Sequence, residues 1–321
     1  MKKVAIGIDV GGTNTVFSAI DNIGRCLVNG RIATSDFNDF TGFLKSLINE
    51  INLSISSYKE DILEIIGIGI GAPNGNHFTG TIEYAPNLNW TGIVNVVKSF
   101  KEFYPNIPIV LTNDANAAAI GEMVFGSAKN MSDFVVITLG TGLGSGIVVN
   151  GKILYGKDGF AGEVGHTIVY PDGRPCGCGR NGCLETYVSA TAIVKTVKEL
   201  MKTTDLNCVF RDISEEAISS KKISEAAQNG DLLSNAAFEY TGKILGLRLA
   251  DLIAITNPEA IFLMGGLAQA GDLIFNPTQK SMEENLLKIF KNKVKLLPSG
   301  LDCEKAAVLG AGALVWKTIE N

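Results

Sequence analysis

No stretch of this sequence is apolar enough to cross a membrane, and none is basic enough to suggest a nucleic-acid surface. The start carries the two lysines of a signal peptide, Lys2 and Lys3, but Asp9 interrupts the apolar run too early. No run approaches the ~20 apolar residues that span a bilayer. The formal net charge of −5 disfavours nucleic acid and anionic membranes as partners. These absences predict a cytoplasmic protein with small-molecule partners.

Length and glycine content indicate how the chain is organised. At 321 residues it suits about two domains of roughly 150 residues each. Its 36 glycines make up about 11% of the 321 residues, compared with ~7% in an average protein. They concentrate in short loops, and we expect those loops to approach a ligand closely.

The hydrophobic pattern predicts a mixed α/β protein in which one unit occurs twice. In each half a buried strand runs into a glycine-rich turn and then into a second strand. The predicted strands are 4–10, 15–20, 26–33, 65–70, 107–112, 134–139, 147–150, 260–264 and 294–297. The predicted helices are 40–51, 93–103, 115–125, 190–201, 213–227, 232–256 and 306–319, and residues 71–89 are predicted to form a loop.

The first glycine turn follows a carboxylate at the end of a buried strand, in the run Asp9-Val10-Gly11-Gly12-Thr13-Asn14. Backbone N–H groups in such a turn can face phosphate oxygens, and Asp9 can hold Mg²⁺ through water. A tight hairpin with an aspartate in its turn would give the same pattern. The second glycine turn, residues 139–146, favours phosphate binding, because loops facing each other from two lobes can clamp the β- and γ-phosphates.

Asn113 and Asp114 lie where a predicted strand ends and a helix begins. Asp114 suits the N-cap of that helix. A carboxylate at this place can also accept the proton of a sugar hydroxyl while that oxygen attacks phosphorus. One side chain can serve both purposes only if it turns away from its own helix.

The most specific feature is one histidine followed by three clustered cysteines. His166 is one of only two histidines, and the clustered cysteines are Cys176, Cys178 and Cys183. One imidazole and three thiolates form the closed tetrahedral set of structural zinc. The other cysteines, which we expect to be ordinary core thiols, are Cys26, Cys208 and Cys303.

Two carboxylates flank this cluster. Glu163 lies three residues before His166, and Glu185 lies two residues after Cys183. Bound zinc would bring both carboxylates near one point, where they could bind several hydroxyls of a sugar. Ordinary surface salt bridges are the alternative interpretation.

Together these motifs resemble the ROK family, which comprises repressors and sugar kinases within the actin- and hexokinase-like ATPases. The resemblance covers essentially the whole chain and is most specific at residues 163–166 and 176–185. It implies that Asp114 is the general base and that His166 binds zinc through one ring nitrogen and the sugar through the other. The implied sugar-binding residues are Asn87, Asn113, Asp114, Glu163, His166 and Glu185. The implied ligands of Mg²⁺ and ATP are Asp9, Gly11, Gly12, Thr13, Asn14, Thr141, Gly142 and, on the adenosine side, Gly265 and Gly266.

The resemblance also implies a fold and an assembly. The fold is α/β and two-lobed, that of the actin-like, ribonuclease H-like ATPases, with a duplicated mixed sheet and an inserted zinc loop at residues 166–183. The small lobe would hold residues 1–113 and 306–321, and the large lobe residues 114–305. A homodimer or higher homo-oligomer is expected.

One loop departs from the family pattern. Where many relatives have Ala-Pro-Gly, this chain has Ala72-Pro73-Asn74. We expect this loop and Asn87 to reach the sugar and to influence the preference among hexoses. His77, in the same polar loop, is expected to be solvated.

Several functions fit the resemblance. Phosphorylation of glucose at the 6-hydroxyl is favoured because residues 161–166 resemble the glucokinase version of the motif. N-acetylglucosamine or N-acetylmannosamine could be the substrate instead. A repressor would carry a helix-turn-helix ahead of the first glycine motif, whereas eight residues precede Asp9 here. An inactive sugar sensor is disfavoured by Asp114 and by both glycine loops.

Overall fold

The computed structural model describes residues 1–302 and 305–320, so Cys303 lies outside the described residues. The strands are β1 (Lys2–Val10), β2 (Asn14–Ile20), β3 (Cys26–Ala33), β4 (Leu63–Ala72), β5 (Gly75–Asn76), β6 (Thr81–Glu83), β7 (Ile93–Asn95), β8 (Ile109–Asn113), β9 (Phe134–Leu139), β10 (Leu143–Val149), β11 (Lys152–Ile153), β12 (Ala260–Met264) and β13 (Lys295–Pro298). The helices are α1 (Phe40–Ser57), α2 (Val96–Phe103), α3 (Asp114–Val124), α4 (Ala190–Thr203), α5 (Ser220–Gln228), α6 (Leu232–Thr256), α7 (Asp272–Asn285) and α8 (Ala306–Glu320).

The chain divides into two compact units. The first unit holds Met1–Met131, Ile153–Gly162 and the described residues from Ser299 onward, and the second holds Ser132–Lys152 and Glu163–Pro298. These bounds differ from the predicted lobes, because α3 groups with the first unit. Small residues let α3 pack closely on α8, since a Cβ atom on Gly121 would lie only 2.9 Å from the Cα atom of Gly310.

β1 and β4 lie at the centre of the first unit's sheet. The strand order is β3-β2-β1-β4-β8, with β1 antiparallel to β2 and parallel to β4, and β4 parallel to β8. Glycine and isoleucine alternate in β4, and successive side chains of a strand point to opposite faces. Ile68 and Ile70 are fully buried beside the α1 core residues. Gly69 faces α8, where a Cβ atom would overlap the carbonyl oxygen of Ala311.

The second unit's sheet repeats the first. Its order is β11-β10-β9-β12-β13, with β9 antiparallel to β10 and parallel to β12, and β12 parallel to β13. The predicted α/β fold with a duplicated, hairpin-containing mixed sheet is confirmed. α6 packs tightly on α7, because a Cβ atom on Gly246 would lie 2.7 Å from the backbone nitrogen of Met282.

Several predicted elements differ from the structure. α1 continues to Ser57 instead of ending at residue 51, and β10 begins at Leu143, within the predicted second glycine turn, instead of at residue 147. Residues 71–89, predicted as a loop, contain β5 and β6, which form a three-stranded sheet with β7. The helix predicted over 93–103 therefore begins later, at Val96. The helix predicted over 213–227 is limited to α5, where the Ser219 side chain caps the first turn.

α7 has no predicted counterpart. Pro277 lies inside this helix, and only a few of its apolar side chains, among them Ile274 and Met282, are buried. A proline and a sparse apolar pattern both weaken the helix signal in a sequence. Among the described residues, no helix is both long and apolar enough to cross a membrane.

Candidate functional site

In the first unit, the polar residues of interest lie where parallel strands end. Asp9 in β1 pairs with Gly71 in β4, and Ala72 in β4 pairs with Asn113 in β8. The carboxyl ends of these strands therefore meet at one edge of the sheet, which is where ligands bind in open α/β sheets. Asp9, Asn113 and Asp114 share this edge.

The first glycine loop rests on the segment that contains Asn87. The Gly11 N–H donates to the carbonyl oxygen of Asn14 at 3.0 Å, which closes the turn between β1 and β2. A Cβ atom on Gly12 would overlap the carbonyl oxygen of Asn87. Thr13 and Asn87 are both exposed. The backbone N–H groups of this loop and the Asn87 side chain thus lie close together, where both could bind a ligand.

Asn113, and not Asp114, is the N-cap of α3. Its Oδ1 atom accepts from the N–H groups of Ala115 at 2.8 Å and Asn116 at 3.3 Å. The N-cap prediction for Asp114 was therefore wrong by one residue. Because the cap is supplied by its neighbour, Asp114 occupies the first helical position, and one of its carboxylate oxygens accepts from the N–H of Ala115 at 2.8 Å.

The Asp114 carboxylate has an unusual electrostatic environment. The residue is accessible to solvent, yet desolvation by the surrounding protein raises the pKa of its carboxyl, and the hydrogen bond from Ala115 opposes this only in part. A carboxylate with a raised pKa is a stronger base than an ordinary one. The geometry and the pKa both suit proton acceptance.

Asp9 is affected by the same surroundings. Burial, and next the negative charge of Asp114, raise the pKa of Asp9 from 3.8 to about 7. Two carboxylates near each other at a buried strand end repel, and a cation would relieve that repulsion. The pair therefore fits a cation-binding role.

A stability measurement can test this pKa. A carboxyl whose pKa is higher in the folded chain binds its proton more tightly there, so the free energy of unfolding falls as the pH rises from about 4 to about 7. We expect Asp9→Asn to raise the melting temperature of the ligand-free protein at pH 8, by ~2–4 °C for each kcal/mol of relief. At pH 4 the effect should vanish. A variant that melts lower than the wild type at pH 8 would contradict the assignment.

In the second unit, the second glycine loop is fixed by the start of α4. The carbonyl oxygen of Gly140 accepts from the N–H of Ala190 at 2.8 Å, and that of Thr141 accepts from the Thr191 hydroxyl at 2.7 Å. Gly265 follows β12, the parallel neighbour of β9, and its φ of 98° suits glycine. Both glycine loops of this unit leave adjacent strands at the same sheet edge.

The predicted metal ligands come together. The ligand atoms of His166, Cys176, Cys178 and Cys183 all lie within 4.8 Å of one another. The Nδ1 atom of His166 is 3.7 Å from the Cys176 sulfur, and the sulfurs of Cys178 and Cys183 are 3.6 Å apart. Thiolates bound tetrahedrally to zinc at ~2.3 Å would be about 3.8 Å apart. The donor set and its spacing thus fit zinc.

The three thiols of the cluster differ in their tendency to ionise: desolvation raises the pKa of Cys176 and of Cys183, whereas the pKa of Cys178 is lowered. Desolvation raises the pKa of the Cys178 thiol, but hydrogen bonds from the Arg180 side chain and backbone, with others from the cluster, outweigh it and bring the pKa to about 6. A thiolate is the form that binds zinc. Arg180 also donates to the carbonyl oxygen of His166 at 2.8 Å, which helps to fix the histidine.

Glu185 links the metal cluster to the second glycine loop. Its Oε1 atom lies 3.0 Å from the Cys176 sulfur and 3.6 Å from Nδ1 of His166. Its Oε2 atom lies close to Gly142, where a Cβ atom would come within 2.5 Å of it. Glu163 precedes the short 3-10 helix Val164–His166 and accepts the His166 N–H at its backbone carbonyl. The Glu185 carboxylate thus lies next to His166 in space, and the Glu163 backbone is bonded to His166 three residues further along the chain.

The structure gives His77 a ring partner, Tyr155, that the sequence did not indicate. His77, predicted to be solvated, is half-buried and stacks on Tyr155 with ring centroids 4.3 Å apart and an angle of 1° between the rings. The prediction for His77 was wrong because its ring partner lies far away in the chain. The sequence contains no local signal for this contact.

Comparison with known proteins gives relatives of two kinds. The glucokinase of Halalkalibacterium halodurans is 33% identical over 319 residues, which are 98% of this chain and 96% of that protein. The xylose repressor of Bacillus subtilis is 29% identical over 97% of this chain and 76% of the repressor. A ROK family glucokinase from Streptomyces griseus, solved in complex with glucose and AMPPNP, has a TM-score of 0.82 and 32% identity, covering 98% of this chain and 99% of that one.

The match to the family is continuous through both units. The model of the ROK family matches residues 5–318, which include both glycine loops, the Asn113-Asp114 pair and the histidine–cysteine cluster. Because that match and the similarity to the glucokinases extend over nearly all of the sequence, this chain belongs to the ROK family.

Proposed function

We propose that the protein is an ATP-dependent sugar kinase that phosphorylates glucose at the 6-hydroxyl. The observation that carries the proposal is Asp114, an accessible carboxylate with a raised pKa at the carboxyl end of β8. Family membership and the similarity to glucokinases over nearly the whole chain support a kinase acting on this sugar.

The chemistry assigned to Asp114 is that of a general base. Its carboxylate accepts the proton of the 6-hydroxyl as that oxygen forms a bond to the γ-phosphorus of ATP. The bond between the γ-phosphorus and the β–γ bridging oxygen breaks, and ADP leaves. The products are ADP and glucose 6-phosphate, and the proton remains on Asp114 until solvent removes it.

The other residues bind and orient the two substrates. The side-chain amide N–H groups of Asn113 can donate to the sugar, because its Oδ1 atom is used in capping α3. The other proposed sugar-binding residues are Asn87, Glu163, His166 and Glu185. The proposed ATP-binding residues are Asp9, Gly11, Gly12, Thr13, Asn14, Thr141, Gly142, Gly265 and Gly266.

Two metals are proposed with different roles. Mg²⁺, when bound with ATP, would neutralise charge on the phosphates, and the repulsion between Asp9 and Asp114 fits a cation at that strand end. Zinc would be held by His166, Cys176, Cys178 and Cys183 as a structural metal. With Nδ1 of His166 turned toward the sulfurs, Nε2 is left for a sugar hydroxyl.

Acetamido sugars and DNA are the competing ligands. N-acetylglucosamine and N-acetylmannosamine differ from glucose and mannose at C2, and the Asn74–Asn87 region is the proposed place of discrimination. The similarity to a xylose repressor is the observation that favours a regulatory function as the alternative. A repressor function would leave Asp114 without a chemical task.

A coupled assay of ADP release decides among these functions. We expect Mg-ATP turnover with glucose at a kcat/KM at least about tenfold above that for mannose, fructose, N-acetylglucosamine and N-acetylmannosamine. A preference for an acetamido sugar would change the substrate but keep the kinase. No turnover of any sugar would reject the kinase and favour a sensor or repressor.

Two further predictions concern the protein as a whole. A homodimer or higher homo-oligomer and a cytoplasmic location are expected from the family resemblance and from the sequence. Light scattering coupled to gel filtration measures the oligomeric state directly.

A further inference from the structure

The stacked rings of His77 and Tyr155 lie next to β8, the strand that leads into Asn113 and Asp114. The two rings are parallel, and the Phe78 ring meets both edge-on, at centroid distances of 5.8 Å from His77 and 5.7 Å from Tyr155. These three rings belong to the first unit. Offset-stacked and edge-to-face arrangements are the favourable contacts between aromatic rings.

His77 is bonded directly to β8. Its Nδ1 atom lies 3.2 Å from the carbonyl oxygen of Leu111. A carbonyl oxygen only accepts, so Nδ1 carries the proton and donates. β5, the strand directly before His77, also lies close to β8, because a Cβ atom on Gly75 would overlap the carbonyl oxygen of Thr112. The His77 ring and β5 therefore contact, respectively, Leu111 and Thr112, the two residues that immediately precede Asn113.

Tyr155 connects the same place to a second segment. The carbonyl oxygen of Tyr155 accepts from the N–H of Ala161 at 3.0 Å, which closes the loop 155–161. The Asn76 side chain donates to the carbonyl oxygen of Asp158 at 3.0 Å. A Cβ atom on Gly159 would lie 2.6 Å from the Oδ1 atom of Asn76. The loop is thus held against the hairpin, and after Gly162 the chain continues directly into Glu163.

We propose that His77 and Tyr155 are positioning residues for phosphoryl transfer, a role that rests on the proposed function. The stack holds the His77 ring against Leu111 and the adjoining β5 against Thr112, and in this way it fixes the end of β8 from which Asn113 and Asp114 meet the sugar. Neither ring needs to touch the sugar or ATP to do this.

The test uses three variants with matched chemistry. Tyr155→Ala removes the ring, and Tyr155→Phe keeps the ring but removes the hydroxyl. Tyr58→Ala is the control, because Tyr58 is a half-buried tyrosine in the same unit that packs at the end of α1. Its loss should lower stability without moving β8.

We expect Tyr155→Ala to lower kcat/KM for glucose by roughly tenfold to a hundredfold, since small misplacements of reacting groups have effects of this size. The KM for ATP should change by less than about twofold. Tyr155→Phe should restore most of the activity, and Tyr58→Ala should keep it. The role of the stack is overturned if Tyr155→Phe is as impaired as Tyr155→Ala, because the hydroxyl, which interacts with the Thr112 side chain, would then be the group that matters. It is also overturned if Tyr155→Ala resembles Tyr58→Ala.

Hydrogen exchange of the substrate-free protein tests the same proposal without turnover. Tyr155→Ala should accelerate amide exchange in residues 110–116 and 155–162, and the two other variants should not. Unchanged exchange in these segments would reject the positioning role. If the wild type fails to phosphorylate glucose, the proposed function fails, while the exchange result still decides whether the stack fixes this strand end.

Discussion

Asp114→Asn is expected to lower kcat for glucose phosphorylation by about 10²–10⁴-fold, the usual contribution of a general base. Asparagine has nearly the same shape but cannot accept the proton of the 6-hydroxyl. The dissociation constant for glucose, measured by calorimetry, should change less than about threefold, because Asn113 and the other hydroxyl-binding residues remain. Kinetics and binding thus separate proton transfer from recognition.

Asp272→Asn is the matched control for this change. Asp272 is exposed and occupies the first position of α7, as Asp114 does in α3. It should keep wild-type kcat, which shows that a lost charge at a helix start is not enough to stop turnover. If Asp114→Asn lost sugar binding in proportion to kcat, Asp114 would be a binding residue and not the base.

Cys178→Ser is expected to release the metal and to destabilise the second unit. Serine leaves one histidine and two cysteines, and zinc sites of this kind contribute to folding through metal binding. Metal content, measured by mass spectrometry of the purified protein, should fall from about one zinc per chain to well below one. The melting temperature should fall by several degrees, at ~2–4 °C for each kcal/mol lost.

The control for the zinc site is Cys26→Ser. Cys26 is a half-buried thiol at the start of β3 in the first unit, whereas the cluster belongs to the second unit. Its replacement should leave the zinc content unchanged. Retained zinc and an unchanged melting temperature in Cys178→Ser would show that the four residues lie close together without holding a structural metal.

Local signals explain which parts of the fold could be predicted. The buried strands β1, β9 and β12 are built on continuous apolar runs that end at aspartate or glycine, and their predicted bounds lie within two residues of those in the structure. The duplicated hairpin followed from two such runs with glycine turns. The histidine–cysteine cluster followed from ligand type and spacing in a short loop.

Contacts between distant residues could not be predicted. β5, β6 and β7 are two or three residues long and have no periodicity to detect, so their segment resembled a loop. The His77–Tyr155 stack joins two segments that lie far apart in the chain. The N-cap of α3 was misassigned because Asn and Asp have nearly equal preferences for that position, and only backbone geometry separates them.

The capping role of Asn113 determines the polarity of the hydrogen bonds that this corner can offer. Its oxygen accepts two backbone N–H groups, so its amide can present only N–H donors outward, whereas an ionised Asp114 presents only acceptors. A ligand group that faces both must accept from one and donate to the other. A hydroxyl meets this requirement, whereas fluorine and ether oxygens can only accept. The fluorine of a 6-deoxy-6-fluoro sugar could therefore accept from the Asn113 amide, but its lone pairs would face the carboxylate oxygens of Asp114 with no proton between them.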